Sequence, residues 1–182
     1  MTAAQADLAS ARTAFREMPG DLRLDTPEVT DGAALWRIAR DSKTLDLNSS
    51  YSYLLWCRDF AGTSVIARDA DGEAVGFITG YIRPERPQTL LVWQVAVDAS
   101  QRGRGLAAAM LDGLAERVAK EHGLRSLETT ISPDNIPSQR LFTSFAQRHD
   151  ADLAREVLFS AEQFPDGGHE PEVLYRIGPL PY

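Results

Sequence analysis

The chain has 182 residues, enough for one domain, and 43% of them are hydrophobic and 25% charged. This composition is typical of a folded globular protein and excludes an intrinsically disordered chain. The net charge of −7 disfavours nucleic acid as a partner, because an excess of acidic residues repels a polyanion. The single cysteine, Cys57, cannot form an internal disulfide and favours a reducing compartment, the cytoplasm.

The first 20 residues show no sustained hydrophobic period and end in the turn signal Met18-Pro19-Gly20. We therefore predict a flexible N-terminal leader over residues 1–20 and one domain over residues 21–182. The leader lacks the apolar core of a signal peptide, and no segment approaches the roughly 20 apolar residues of a membrane helix. Neither export nor membrane insertion is expected.

Hydrophobic periods and turn residues predict an ordered series of helices and strands from Leu22 to Ile177. The series is a strand at 22–24, a helix from Thr30 or Asp31 to near Asp41, a helix at 51–60, strands at 63–67 and 74–81 joined by Asp71-Gly72, a loop at Pro84 and Pro87, a strand at 89–97, a helix at 106–122, a strand at 125–131, a helix from Pro137 to about Phe145, and strands at 155–159 and 173–177. The apolar strand at 89–97 is expected to be central. This order predicts one mixed α/β domain.

The most informative motif lies between that central strand and the helix at 106–122. It reads Gln101-Arg102-Gly103-Arg104-Gly105-Leu106-Ala107. A helix N-terminus presents unpaired N–H groups and a partial positive charge, glycines let a phosphate approach the main chain, and arginines add charge. The spacing matches neither the dinucleotide fingerprint nor the nucleoside-triphosphate P-loop. The motif therefore predicts a pyrophosphate site, with a solvated turn as the alternative.

This motif resembles the acetyl-CoA signature, Arg/Gln-x-x-Gly-x-Gly/Ala, of the GNAT N-acetyltransferase superfamily, and the element order resembles the GNAT fold, a mostly antiparallel central sheet flanked by helices. The resemblance implies acetyl-CoA as the co-substrate. It also implies that the central strand splays from its neighbour and that its free backbone groups hold the pantetheine arm. The implied CoA-binding residues are Gln94, Val95, Ala96, Val97, Gln101, Arg102, Gly103, Arg104, Gly105, Leu106, Ala107, Asn135, Ser138 and Phe142.

A narrower resemblance covers residues 45–60, 93–97, 129–135 and 169–172. These segments are similar to those of the GNAT enzymes of ectoine biosynthesis, which acetylate L-2,4-diaminobutyrate. The resemblance implies transfer of acetyl to the 4-amino group by direct attack in a ternary complex, in a cytoplasmic homodimer. The implied substrate-binding residues are Asp46, Tyr51, Trp93, His169 and Glu172, and all except Trp93 are also implied as catalytic.

The chemistry of a small diamine agrees with these residue types. Asp46 and Glu172 suit ammonium groups, and an amine must lose a proton before it attacks. His169 titrates in a suitable range, whereas Asp46 or Glu172 could pass the proton through water; we rank electrostatic positioning by the acids first. The three histidines and one cysteine show no metal-ligand spacing, so no metal is expected.

Several alternatives stay open at the level of sequence. Many GNAT enzymes place a tyrosine in the helix after Asn135, but residues 137–145 contain none. Tyr51 or water could therefore protonate the leaving sulfur, or the thiolate could leave unassisted. The acids could be plain loop charges, the aromatic residues core side chains, and His169 a loop histidine. The whole domain could instead acetylate another small amine, or bind acyl-CoA without turnover.

Overall fold

The computed structural model describes residues 16–18, 22–165 and 168–182. Within these residues, eight strands form one sheet and four α-helices cover it. The strands are β1 (Arg16–Met18), β2 (Leu22–Asp25), β3 (Val65–Arg68), β4 (Ala74–Arg83), β5 (Arg86–Val97), β6 (Ser126–Ile131), β7 (Leu153–Phe159) and β8 (Glu172–Ile177). The helices are α1 (Gly32–Ser42), α2 (Ser50–Asp59), α3 (Leu106–His122) and α4 (Ile136–Arg148).

The sheet is mixed and mostly antiparallel, as predicted. Its spatial order is β1-β2-β3-β4-β5-β6-β8-β7, and β5–β6 is the parallel pair among the described strands. β5 lies between β4 and β6, which confirms its predicted central position. The predicted order of helices and strands from Leu22 to Ile177 is also confirmed.

Two boundaries differ from the predictions. β1 pairs with β2 and lies inside the predicted leader, so order begins before Leu22; residues 1–15 and 19–20 of that leader lie outside the described residues. Pro87 lies inside β5 rather than in a loop, because β4 and β5 continue almost to their connecting turn. The β4–β5 register shifts between Ile82 and Arg83, and proline is tolerated at such an irregularity because the ladder there does not need its missing N–H.

The two faces of the sheet carry separate hydrophobic clusters. α3 and α4 pack on one face, and the apolar residues of α3 from Leu106 to Val118 are buried there. α1 and α2 pack on the other face. On α2, Leu54 is 40% exposed, whereas Tyr53 and Cys57 are buried. Tyr53 and Cys57 are four residues apart and therefore lie on one side of the helix.

β5 contains a bulge at Trp93, ahead of the Gly/Arg motif. Thr79 of β4 pairs with Gln94, but the next residue, Gly80, pairs with Val92, so Trp93 is an extra residue in β5. A glycine is required here, because a Cβ at position 80 would lie 2.7 Å from the carbonyl oxygen of Leu91. β5 pairs with β6 only from Thr89 to Val92. Residues 93–97 therefore keep β4 on one edge and leave the other edge open.

An ion cluster between the first part of β5 and its neighbours yields a stability prediction. The carboxylate of Glu128 is 2% exposed and accepts hydrogen bonds from Arg83, Arg176 and Arg86 at 2.7, 3.0 and 3.3 Å. Replacing Glu128 by glutamine would leave three guanidinium groups around a neutral side chain. We expect the free energy of unfolding to fall by about 3 kcal/mol in a denaturant titration.

The matched control is Glu156→Gln. Glu156 pairs with Arg176 at 2.7 Å, but its side chain is 54% exposed. An exposed pair contributes at most about 1 kcal/mol, so this variant should unfold almost as the parent does. Equal losses in the two variants would refute the importance of the buried cluster.

Candidate active site

A cleft of about 720 Å³ lies where β5 and β6 diverge. Five segments form its walls: the end of α1 with the following loop, the end of β5, the start of α3, the β6–α4 connection with the start of α4, and the start of β8 with the residues before it. The lining residues are Ser42, Lys43, Thr44, Leu45, Asp46, Val95, Ala96, Val97, Arg102, Ala107, Ser132, Asp134, Asn135, Pro137, Ser138, Leu141, Gly168, His169, Glu170 and Glu172. The splayed strand and the predicted acidic residues thus face one cavity.

The Gly/Arg motif forms the N-terminal end of α3. Gly103 and Gly105 both have a φ of +76°, and Gly105 is the N-cap residue and has no side chain to cap the helix. The first N–H groups of a helix have no partner within it, and the space where a Cβ would lie at either glycine is open. The motif residues therefore fit a pyrophosphate group.

A second cavity of about 480 Å³ lies beside this motif. Val97, Arg102, Ala107, Pro137 and Leu141 line both cavities, so the two form one groove. The second cavity also takes in Arg140 and Arg148 of α4.

Asp46, His169 and Glu172 all line the cleft, although Asp46 and His169 are far apart in the sequence. Nε2 of His169 lies 3.8 Å from Oδ2 of Asp46, whose side chain is 95% exposed. The imidazole ring stacks on Phe164 with a centroid distance of 3.8 Å, and its Nδ1 lies 2.6 Å from the carbonyl oxygen of Glu170. A carboxylate and an imidazole ring thus lie next to each other in the lining of the cleft.

Five of the predicted site residues line neither cavity: Tyr51, Trp93, Gln94, Arg104 and Phe142. Tyr51 is 65% exposed on α2, and Trp93 is 51% exposed and stacks on Trp56 at a centroid distance of 6.3 Å. Phe142 is buried in the core cluster beneath α3 and α4. Arg104 donates a hydrogen bond to the side chain of Gln101 instead of lining either cavity.

All predicted CoA residues other than Gln94, Arg104 and Phe142 line the groove. Val95, Ala96, Val97, Asn135 and Ser138 line the cleft, and Gln101, Gly103, Gly105 and Leu106 line the second cavity. Oδ1 of Asn135 caps α4 by accepting the N–H of Ser138 at 3.1 Å. Gln94 is buried, and its side chain points toward α2 and the loop that carries Asp46.

Sequence reasoning missed part of the lining. Lys43, Thr44, Ser132, Asp134 and Leu141 all face the cleft. Lys43 ends α1 in the left-handed conformation, with a φ of +57°, and the helix end alone gives no signal of a site. Ser132 and Asp134 lie directly before the predicted residue Asn135, and Ser132 Oγ donates to Asp134 Oδ1 at 2.6 Å.

Charge is separated along the groove. Among the described residues, the cleft is lined by the carboxylates of Asp46, Asp134, Glu170 and Glu172, with Lys43 and Arg102 as its basic residues. The described lining of the second cavity contains Arg102, Arg140 and Arg148 and no carboxylate. One end of the groove therefore suits an anion and the other a cation.

The profile of the acetyltransferase (GNAT) family matches residues 32–146. An L-2,4-diaminobutyric acid acetyltransferase of Streptomyces avermitilis is 72% identical over 180 residues, which cover 99% of each chain. This chain belongs to the GNAT acetyltransferase family. A second relative of the same name, from Streptomyces coelicolor, is 73% identical over 160 residues that cover 88% of this acetyltransferase and 94% of the relative.

Solved structures agree with this membership. The diaminobutyrate acetyltransferase EctA of Paenibacillus lautus, in complex with L-2,4-diaminobutyric acid and coenzyme A, is 45% identical to this acetyltransferase. The match has a TM-score of 0.83 and covers 88% of this chain and 96% of that one. The Ard1 protein of Thermoplasma volcanium is 18% identical, covers 87% of this chain and 98% of its own, has a TM-score of 0.68, and shows the shared fold alone.

The described residues contain neither a metal-binding group nor a membrane-spanning helix. No group of three or more histidine, cysteine, aspartate and glutamate side chains is arranged there to hold a metal ion. Among the same residues, no helix has both the length and the apolar character needed to cross a bilayer.

Cys57 of this acetyltransferase is buried, and we expect it to be unreactive. Burial, helped by the nearby charge of Asp31, raises the pKa of its thiol to about 12. Since the thiolate is the reactive form, Ellman's reagent at pH 8 should not modify the folded protein, and in guanidinium it should find one thiol per chain. Rapid modification of the folded protein, absent in Cys57→Ala, would contradict this expectation.

Proposed function

We propose that this chain transfers the acetyl group of acetyl-CoA to the 4-amino group of L-2,4-diaminobutyrate, the acetylation step of ectoine biosynthesis. The main support is the charge separation along the groove. An arginine-lined cavity lies at the start of α3, and a carboxylate-lined cleft lies beside the open edge of β5. A coenzyme with several phosphates fits the first part, and a diamine fits the second. The names of the relatives support the same acceptor.

The coenzyme, when bound, supplies the acetyl group and a thiolate leaving group. The N–H groups at the start of α3 and the guanidinium of Arg102 would hold its phosphates. The open edge of β5, residues 93–97, would hydrogen-bond the pantetheine arm as a strand would. A backbone N–H near Val95 would stabilise the oxyanion that develops on the carbonyl oxygen.

The acceptor amine is held and deprotonated by the opposite wall. Asp46 and Glu172 bind the ammonium groups and bring one amine toward β5. An alkylammonium group has a pKa near 10, so its proton must leave before the lone pair can attack. His169, 3.8 Å from Asp46, receives that proton directly or through water.

Water is the proposed proton donor for the leaving sulfur. Tyr51 does not line the cleft, and none of the cleft's described lining residues is a tyrosine. A thiol has a pKa of about 8.5, so its thiolate is a good leaving group that needs little assistance near neutral pH. The reaction then proceeds by direct attack in a ternary complex and requires no acyl-enzyme.

We also propose a cytoplasmic location and a homodimer. The buried, unpaired thiol of Cys57 suits a reducing compartment. The outer strand β7 exposes Val157, Leu158 and Phe159, an apolar edge that suits contact with a second copy. Light scattering after size exclusion gives the oligomeric state. A single catalytic domain, whose sheet includes β1 (Arg16–Met18), is part of the same proposal.

The deciding experiment mixes the protein with acetyl-CoA and one of three amines. These are L-2,4-diaminobutyrate, L-2-aminobutyrate, which lacks the 4-amino group, and 1,3-diaminopropane, which lacks the carboxylate. Free thiol is followed, and NMR identifies the acetylated nitrogen. We expect acetylation of diaminobutyrate at the 4-amino group and no product from aminobutyrate. Faster turnover of another amine would replace the substrate assignment, and CoA binding without thiol release from any amine would indicate a binding module.

A further inference from the structure

A buried chain of hydrogen bonds joins α2, the bulge of β5 and the loop that carries Asp46. The hydroxyl group of Tyr53 donates to Oε1 of Gln94 at 3.0 Å. Nε2 of Gln94 donates in turn to the main-chain carbonyl oxygen of Asp46 at 2.9 Å. Tyr53 is fully buried and Gln94 is 7% exposed, so water does not compete freely for these bonds.

The direction of each bond in this chain is fixed by chemistry. The carbonyl of Asp46 can only accept, so the amide group of Gln94 must present its nitrogen to Asp46 and its oxygen to Tyr53. Burial raises the pKa of Tyr53, and hydrogen bonding to Asn48 opposes this effect only in part. The phenol therefore remains a donor throughout the neutral range.

The bulge brings this amide group within reach of the loop. Both Trp93 and Gln94 contact α2, Trp93 by stacking on Trp56 and Gln94 by its bond to Tyr53. In an unbroken strand, consecutive side chains point to opposite faces, so the extra residue is needed for both contacts. The same bulge starts the open edge of β5 and therefore relates the loop to the proposed coenzyme arm.

Asp46 depends on its main chain for its position. Its carboxylate is 95% exposed, and Nε2 of His169 lies 3.8 Å away, beyond ordinary hydrogen-bond distance. The hydrogen bond from Gln94 to the carbonyl oxygen of Asp46 fixes the peptide plane that follows the Cα atom of Asp46. The orientation of this plane sets the direction in which the Asp46 carboxylate enters the cleft.

We propose that Gln94 and Tyr53 are positioning residues that hold Asp46 in place for recognition of the acceptor diamine. This inference rests on the proposed function, because it assigns the two side chains to the acceptor half of that reaction. Gln94 thus serves the acceptor site through its side chain, whereas the GNAT resemblance places it in the coenzyme site.

The test compares Gln94→Met and Tyr53→Phe with the parent protein. Methionine keeps the volume of Gln94 but removes both hydrogen bonds, so we expect the KM for diaminobutyrate to rise about tenfold. The dissociation constant for CoA, measured by calorimetry, should change by less than about twofold. In hydrogen exchange without ligands, the amides of residues 45–49 should exchange faster. Tyr53→Phe keeps the bond to Asp46 and should show the same pattern more weakly.

Thr79→Val is the matched control. Thr79 pairs with Gln94 across β4 and β5, and its buried hydroxyl group has no hydrogen-bond partner within the described part of the chain. Losing that hydroxyl should leave the KM for diaminobutyrate and exchange at residues 45–49 as in the parent. An unchanged KM in Gln94→Met, or an equal loss of CoA affinity, would overturn the positioning role. Parent protein that does not acetylate diaminobutyrate would instead refute the proposed function, and hydrogen exchange would still test the anchoring of the loop.

Discussion

Asparagine in place of Asp46 is expected to lower kcat/KM for diaminobutyrate roughly 50-fold, the cost of losing a hydrogen bond between charged groups. Most of the loss should appear in KM, because the proposed role of the carboxylate is to hold an ammonium group. The side chain is 95% exposed and lines the cleft, so the substitution removes charge without disturbing the core. Steady-state kinetics with each substrate varied, and calorimetry with CoA, measure the effect.

Asp41→Asn is the control for this prediction. Asp41 pairs with Arg40 at 2.8 Å near the end of α1, its side chain is half exposed, and it does not line the cleft. The control makes the same change in net charge close to the site, so it should alter kcat/KM less than about threefold. Similar losses in the two variants would mean that the overall field, and not a contact at Asp46, attracts the substrate. A fall in CoA affinity in Asp46→Asn would contradict its place in the acceptor half.

The bounds of α3 could be predicted from sequence because local signals mark both ends. Gly105 precedes the helix and Gly123 follows it, both in the left-handed conformation, and the structure places the helix at Leu106–His122 as predicted. Signals of this kind depend on a few neighbouring residues and therefore need no knowledge of the sheet. The fold class followed from the order of such elements.

The orientation of α2 could not be predicted in the same way. Its sequence is apolar on several sides, so the helical period does not identify the side that packs on the sheet. Tyr53 is buried and Tyr51 is exposed, because residues two positions apart lie on different sides of a helix. The difference arises from how α2 lies on the sheet, which is a property of the tertiary structure.

Only the part of the candidate site that is continuous in the sequence could be predicted from local residues. The Gly/Arg motif is continuous in the sequence and was recognisable from its own residues. The pairing of Asp46 with His169, by contrast, came from a family resemblance, since no local pattern relates residues so far apart. The contact between Gln94 and the Asp46 loop depends on the bulge at Trp93, and that bulge exists only in the register of β4 against β5.

Alanine in place of Gly105 is expected to weaken CoA binding roughly 30-fold. Gly105 has a φ of +76°, where a side chain is strained, and it lines the second cavity at the start of α3. A Cβ atom at position 105 would meet no other protein atom and would project into the groove. Either the methyl group takes up room needed by a phosphate, or the backbone relaxes and turns the N–H groups away from it. Calorimetry with CoA measures the loss.

Gly72→Ala separates this effect from backbone strain. Gly72 lies in the turn between β3 and β4 with a φ of +83°, and it too has open space around an added Cβ. Both substitutions should lower the free energy of unfolding by a similar amount, about 1 kcal/mol. Only Gly105 borders the groove, so only its variant should lose CoA affinity. Equal affinities for CoA in the two variants would refute phosphate binding by the start of α3. Backbone strain would then be the only effect of either substitution.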